Sequence, residues 1–205
     1  MIKLIRQNFD SMEDKTIIGT HDSITAYPPR KWWMKLGKWI AVTQSKTIYQ
    51  QYADGIRCFD LRVRLGKDNK WVMCHGRYEV EANFYEVIEN LRDLAIANRS
   101  TIYIRIVLEN LKINNHEAEK FKKLCECLDE FSKNMVFICG NRKTDWAQLY
   151  TFSYPNQQQW MPVSSCAKDA RWYEKAFPKL YAKRMNKHNL ANIPSKYGFA
   201  FFDFM

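Results

Sequence analysis

The stretch TIIGTHDSIT, Thr16 to Thr25, sets an apolar pair against Gly19 and then places the imidazole of His21 beside the carboxylate of Asp22. A short apolar run closed by glycine reads as a buried strand ending in a loop. A polar pair at that exit is either a solvated loop tip or the edge of an active site, because catalytic groups favour loops held by a rigid scaffold.

The same grammar recurs along the chain. Strands are expected at Thr16–Gly19, Ile56–Arg64, Trp71–Cys74, Thr101–Leu108, Met135–Cys139 and Phe199–Phe204. Helices are expected between them. Gln44–Ala53 stops at Asp54-Gly55, and Asn83–Ala97 lines up Phe84, Val87, Ile88, Leu91 and Leu94 on one face. His116–Ser132 does the same with Phe121, Leu124, Leu128 and Phe131, and Lys168–Asn186 carries Pro178, which bends or interrupts it. Strands alternating with helices imply parallel βα units. The fold class is therefore α/β: a compact, distorted (β/α) TIM-type barrel with few or irregular strands, in a single domain over 1–205. Leu149–Tyr154 and Trp160–Ser165 are candidates for the remaining strands. No glycine-rich GxGxxG follows the first strand, which counts against a dinucleotide fold.

The chain has 205 residues, 46% hydrophobic and 15% aromatic, enough for a packed core. A net charge of +10 points to anionic partners, whether phosphate groups, nucleic acid or an acidic membrane surface. The six cysteines are scattered and form no CxxC pair, so reduced thiols are expected rather than a disulfide framework or a zinc site. Cys125 and Cys127, two apart in a helical segment, should face different ways. No apolar stretch has membrane-spanning length and no signal peptide is visible, so the expected location is cytoplasmic or reached by a non-classical route, with peripheral action at membranes.

At the strand ends the polar residues form a coherent set. The first strand exits at His21 and Asp22. GIRCFDLRVR holds Asp60 and Arg62 two apart and so on one face. The CHG stretch gives His75, IRIVLEN gives Glu109, and the terminal GFAFFDFM carries Asp203 among aromatics. In a βα barrel, groups from several strands meet at that end. Two histidines can serve as general base and general acid, carboxylates can orient them, and an arginine can hold phosphate oxygens through its planar fork. This is apparatus for phosphodiester chemistry.

Taken together, GTHDS at 19–23, GIRCFDLRVR at 55–64, CHG at 74–76 and FFDF at 201–204 resemble the catalytic X-domain of phosphatidylinositol-specific phospholipases C, and the bacterial branch more than the eukaryotic one. The resemblance implies a distorted TIM barrel that cleaves phosphatidylinositol-type lipids to diacylglycerol and inositol 1,2-cyclic phosphate. It implies His21 as the general base on the inositol 2-hydroxyl, Asp203 as the carboxylate orienting it, and His75 as the general acid with Asp22 beside it. Arg62 is similar to the arginine that contacts the phosphate and Asp60 to a supporting carboxylate, while Glu109 is a headgroup contact, a calcium ligand like that of the eukaryotic branch, or a member of a structural ion pair. No cofactor is expected, since a fixed guanidinium repels a calcium ion placed beside it. If calcium were used, Asp22, Asp60 and Glu109 would be its ligands.

PPRKWWMKLGKWI, Pro28 to Ile40, interleaves Trp32, Trp33 and Trp39 with Arg30, Lys31, Lys35 and Lys38. It is either a core-packing helix or an interfacial element, because tryptophan suits the headgroup layer and lysine suits anionic lipid. The family resemblance implies a membrane-contacting helix here, so Trp32, Trp33, Lys31 and Lys35 are the candidate interface. Partners are then a phosphatidylinositol-type lipid and a membrane surface, with no nucleic acid and a monomeric state. His116 and His188 are expected in solvent. Two other readings stand beside this one. A glycerophosphodiester or sphingomyelin phosphodiesterase would show His-Arg-Gly and Glu-x-Asp where this chain has His-Asp-Ser and Asp-x-Arg. A non-catalytic module that binds a phospho-ligand or a membrane would not need both histidines.

Overall fold

Nine strands form one sheet in the computed structural model, which describes residues 16–110, 113–130, 134–141, 150–151, 160–162, 171–191 and 198–205. The first strand, β1 (Thr16–Thr20), pairs in parallel with β2 (Cys58–Leu65) on one side and with the last strand, β9 (Gly198–Phe202), on the other. From β2 the parallel pairing continues to β5 (Ile102–Leu108) and β6 (Met135–Asn141), and from β9 to β8 (Trp160–Pro162). Passing from β8 through β9 and β1 to β6 follows chain order around a ring, the hallmark of a βα barrel. The fold is an irregular (β/α) barrel, and among the described residues no pairing joins the two outer strands.

The structure corrects the expectation of uniform parallel units in two places, the hairpin that follows β2 and the edge of β6. The strand ending at His75, β3 (Trp71–His75), runs antiparallel to β2, and a further strand, β4 (Tyr78–Asn83), returns antiparallel to β3. The reason is connection length. A parallel neighbour needs a crossover of a dozen or more residues, whereas Gly66 N–H already bonds Lys70 C=O at 2.8 Å in a tight turn. Of the expected strand in Leu149–Tyr154, the described residues form β7 (Tyr150–Thr151), antiparallel to β6, and the remainder lies outside the described residues. The candidate at Trp160–Ser165 is β8 as far as Pro162, and its remainder lies outside the described residues.

Helices keep the expected places with shifted ends. The segment after Gln44 becomes helical only at α2 (Ile48–Ala53), where Thr47 and Gln50 form a reciprocal cap. Before it, Trp32–Gly37 is a 3-10 helix leading into α1 (Lys38–Ala41). α3 (Phe84–Ala97) starts from the Asn83 side chain, which accepts from Tyr85 N–H, and buries Phe84, Val87, Ile88, Leu91 and Ala95. α4 (Asn115–Glu130) buries Leu124, Cys125 and Leu128 while Cys127 is exposed; Phe131 and Ser132 lie outside the described residues. The expected helix over Lys168–Asn186 is α5 (Trp172–Ala176) and α6 (Pro178–Ala191), broken at Phe177. Pro178 takes the first position of α6, where its missing N–H costs nothing.

The strands separate two kinds of burial. On the outer face Phe59, Leu61, Ile104, Ile106 and Phe137 pack with Leu91 and Leu128 from the helices. The inner face starts apolar, with Cys58, Tyr103, Val136, Ile138, Phe199 and Phe201 in a separate cluster. Alternation along β2 and β5 then brings Asp60, Arg62 and Arg105 to that same inner face, further along each strand. The barrel interior thus passes from aromatic to ionic in the strand direction. Gly19 sits at the tight end: a Cβ there would lie 2.9 Å from the Cys58 carbonyl oxygen and 3.2 Å from the Phe201 ring.

Gly19→Ala is therefore expected to cost about 1–3 kcal/mol of stability. Gly37→Ala, which meets open space, should stay within about 0.5 kcal/mol of the native protein. Urea midpoints of the two variants provide the check.

Candidate active site

Ser23 ties the exit of β1 to β2: its N–H bonds Asp60 C=O at 2.9 Å, while its Oγ accepts from Asp60 N–H and donates to Thr20 C=O, both at 2.8 Å. This tight crossing forces Asp22 into the left-handed region at φ +47°, a conformation costing on the order of 1 kcal/mol and best tolerated by Asp and Asn. The turn is held by Thr25 Oγ1, which donates to Asp22 C=O at 2.9 Å, and by Asp22 N–H, which bonds Asp60 Oδ2 at 3.1 Å. As a result His21 and Asp22 both project over the ionic end of the barrel.

His21 is fixed at every polar atom. Its N–H bonds Phe202 C=O at 3.0 Å, and its own carbonyl accepts from Gln44 Nε2 and Thr43 Oγ1, each at 3.0 Å. Its ring Nδ1 lies 2.8 Å from Asp203 Oδ1, and Nε2 lies 2.5 Å from Arg62 Nη2. A guanidinium N–H can only donate, so that contact calls for a lone pair on Nε2 and a proton on Nδ1 shared with Asp203. Burial works against the imidazolium, but the Asp22 charge and then the hydrogen bond and charge of Asp203 outweigh it, with Arg62 in opposition, and the pKa of His21 rises to about 8; the Arg62 contact is that of the neutral ring, which prevails above this value.

Arg62 sits at the centre. Its Nε is 2.5 Å from Asp22 Oδ1 and 3.3 Å from Asp60 Oδ2, and its Nη1 is 3.3 Å from Glu109 Oε2. Burial disfavours its charge, but these carboxylates, Asp22 foremost, hold its pKa above the ordinary arginine value. Behind it, buried Arg105 reaches Asp60 Oδ1 at 2.9 Å. Burial raises the Asp60 pKa, and Arg105 and then Arg62 more than reverse that, so Asp60 stays ionised far below the usual carboxylate range. The Asp22 oxygens are wholly buried and contact their neighbours through charge; none of these contacts has hydrogen-bond geometry.

His75 arrives from the β3–β4 hairpin. Its Nδ1 donates to Ala41 C=O at 2.7 Å, which turns Nε2 toward Asp22 Oδ2 at 3.3 Å. That same Asp22 oxygen is 3.3 Å from His21 Nε2, and the two rings lie 6.3 Å apart. Glu109 is buried and accepts from Gly76 N–H at 3.0 Å, so it fastens the turn after His75 as well as Arg62.

His21, Asp22, Asp60, Arg62, His75, Glu109 and Asp203 thus form one constellation, while Lys31, Trp32, Trp33 and Lys35 lie apart on and just before the 3-10 helix. Lys31 is 3.7 Å from Glu79 Oε2 and is partly spent in that pair. Arg105, Gln44, Thr43 and Ser23 were not among the sequence candidates. Arg105 had a signal, a lone charge inside the apolar run of β5; Gln44 and Thr43, in a loop, had none. His116 is exposed as expected, and the His188 side chain lies outside the described residues. His21, Asp22 and Asp60 offer oxygen and nitrogen atoms within 4.8 Å of one another, close enough for a metal. Arg62 is in contact with all three, however, so the donor set does not fit a cation without displacing its guanidinium.

Residues 30–158, more than half of the chain, match the family model described as phosphatidylinositol-specific phospholipase C, X domain. The chain belongs to that family. It is accordingly an enzyme of the phosphoric diester hydrolase and lyase type, with phospholipase C activity toward phosphatidylinositol-type lipids in general terms. The matched span contains Asp60, Arg62, His75 and Glu109; His21, Asp22 and Asp203 flank it and join through the fold. Among solved structures, the phosphatidylinositol-specific phospholipase C from Listeria monocytogenes is 17% identical, with 95% of this chain and 92% of that chain covered and a TM-score of 0.59. One from Staphylococcus aureus, from work on modulation of its membrane binding, is 15% identical over 96% of this chain and 89% of that chain, with a TM-score of 0.63. At such identities the likeness concerns the fold, and it agrees with the irregular barrel. No curated protein matches the sequence.

A histidine with a raised folded pKa contributes stability in full below its unfolded value near 6.5, and that contribution is lost as pH climbs through about 8. Native protein should therefore lose roughly 2 kcal/mol across that window relative to His21→Gln. In Asp203→Asn the His21 ring should titrate below its native value. Urea unfolding at several pH values and NMR titration of the ring carbons test both.

Proposed function

We propose that this enzyme opens the phosphodiester of phosphatidylinositol-type lipids by internal attack, releasing diacylglycerol and inositol 1,2-cyclic phosphate. The observation that carries the reading is His21 held between Asp203 and Arg62. In the proposed step His21 Nε2 takes the proton of the inositol 2-hydroxyl, the 2-oxygen bonds to phosphorus, and the bond from phosphorus to the diacylglycerol oxygen breaks. His75 Nε2–H supplies the proton to that leaving oxygen. Asp203 keeps the proton on Nδ1 so that Nε2 faces the substrate, and Asp22, 3.3 Å from Nε2 of each imidazole, favours the His21 cation once it forms. Arg62 offers N–H donors to the non-bridging phosphate oxygens. With the nucleophile inside the substrate, positioning and charge suffice, and no covalent intermediate is required. The guanidinium takes the place that a cation would hold, which supports chemistry without a metal. Asp60, Glu109 and Arg105 position Arg62.

The lipid reading has its own support. Trp32 is 77% and Leu36 78% exposed while Met34, between them, is buried and accepts from Glu79 N–H through its sulfur. The 3-10 helix is thus anchored by one apolar side chain and presents the others outward, the reverse of a core-packing helix. Trp32 and Trp33 are proposed to enter the headgroup layer with Lys31 and Lys35 beside them. The enzyme then works peripherally as a monomer, with lipid rather than nucleic acid meeting its positive charge. No described helix is long and apolar enough to cross a membrane.

Phosphorus NMR of the products from phosphatidylinositol, with and without chelator, is the direct test: a cyclic phosphate signal unaffected by chelator is expected, and an acyclic product from the outset or a calcium requirement overturns the proposal. An activated leaving group should restore much of the activity of His75→Ala and little of that of His21→Ala, since only the acid becomes dispensable; equal rescue contradicts the assignment. Replacing Trp32 and Trp33 together by Ala should weaken vesicle binding while leaving the melting temperature and the turnover of a soluble inositol phosphodiester near native. A large drop in melting temperature would place the pair in the core instead.

A further inference from the structure

Beside the barrel mouth, and lined by none of the side chains assigned to the chemistry, lies a cavity of about 590 Å³. Lys35 and Lys38 enter it from the 3-10 helix and α1, Lys179 from the first turn of α6, and Phe177 and Phe204 supply aromatic walls. No carboxylate among the described residues pairs with Lys35, Lys38 or Lys179; Lys179 Nζ instead lies 5.6 Å from the centre of the Phe204 ring. The wall also includes Gln44, which is wholly buried. Its Nε2 is committed to the carbonyls of His21 and Phe202, at 3.0 and 2.8 Å, which fixes the orientation of the amide, and its Oε1 has no hydrogen-bond partner among the described residues. A buried acceptor without a donor is costly and calls for one. Phe177 of the wall is itself exposed, and the lining residues Lys35 and Lys179 are each followed in sequence by an exposed apolar side chain, Leu36 and Leu180.

We propose that this cavity is a second lipid site, which holds the headgroup of an anionic, hydroxyl-bearing phospholipid that the enzyme does not cleave. The lysines receive the phosphate, a headgroup hydroxyl donates to Gln44 Oε1, and the acyl chains stay in the bilayer that the flanking apolar residues enter. The volume suits a polyol phosphate headgroup. Because Gln44 also holds the backbone carbonyls of His21 and Phe202, an occupied site braces the strand exits that carry His21 and Asp203. The proposal rests on the reading that the chain works at a membrane surface.

Sedimentation with vesicles of phosphatidylcholine containing either phosphatidylglycerol or phosphatidylmethanol separates the site from simple charge attraction, because the two lipids carry the same charge and only the first has headgroup hydroxyls. Native protein should bind the phosphatidylglycerol vesicles several-fold more tightly. K38Q/K179Q should abolish that preference, whereas K183Q/K187Q, which removes as much charge from residues outside the cavity wall, should keep it; the single variant K179Q serves if the double variant melts lower. Equal binding of the two vesicles by native protein, or the same loss in both double variants, overturns the site. Release from vesicles by millimolar glycerol 1-phosphate, with that ester binding as tightly in their absence, overturns the lipid source in favour of a free phosphate ester. The Trp32, Trp33 double alanine variant should bind both vesicles more weakly with the preference intact. Unchanged binding by that variant, with the preference still dependent on Lys38 and Lys179, counts against the tryptophan interface and leaves the cavity assignment standing.

Discussion

A guanidinium inside a barrel has to be neutralised, and the site is organised around how that is done for Arg62. A carboxylate from the β1 exit, one from β2 and one just beyond β5 surround it: Asp22, Asp60 and Glu109. Loss of one member of such a buried group costs about 3–5 kcal/mol, because it strands the remaining charge. The same ion set therefore locks three segments together and holds a cation beside His21. Arg105 extends the set one layer deeper by occupying the other oxygen of Asp60. Preorganisation of this kind is what phosphoryl transfer asks of a protein, since charge stabilisation supplies most of the catalysis.

Much of this arrangement could be read from residue order alone. Apolar runs ending in polar pairs located the strands of the barrel and the groups at their ends, because burial and alternation are local consequences of sequence. The hairpin was misread because β3 has the composition of a barrel strand; what distinguishes it is the short Gly66–Lys70 turn, a feature of connection length. Arg105 was overlooked although a lone arginine in an apolar strand implies a buried partner. Gln44 and Thr43 could not have been found: their role is to satisfy backbone carbonyls at the strand exits, and nothing in their neighbours in sequence says which carbonyls those are.

The hairpin changes how the second histidine is supported. His75 is steadied by Ala41 C=O, at the end of α1, and the 3-10 helix before α1 is stapled to β4 through Met34 and Glu79, with Pro29 bridged to Val80 nearby. The segment carrying the exposed tryptophans and the ring facing Asp22 therefore belong to one mechanical unit. A shift of that segment cannot occur without moving the acceptor of the His75 Nδ1 proton.

The pairing of β1 with β9 has a temporal meaning as well. Its five strand partners, Thr16 with Gly198 through Thr20 with Phe202, join opposite ends of the described chain, and the His21–Asp203 contact rides on that seam. Such distant contacts form late, since closing a long loop must precede any reward from it. While the chain is still emerging from the ribosome, the imidazole has neither its aspartate nor the carbonyl of Phe202 to hold it. Competence for chemistry thus arrives with β9, since a chain that has not yet added that strand has no carboxylate to hold the His21 Nδ1 proton.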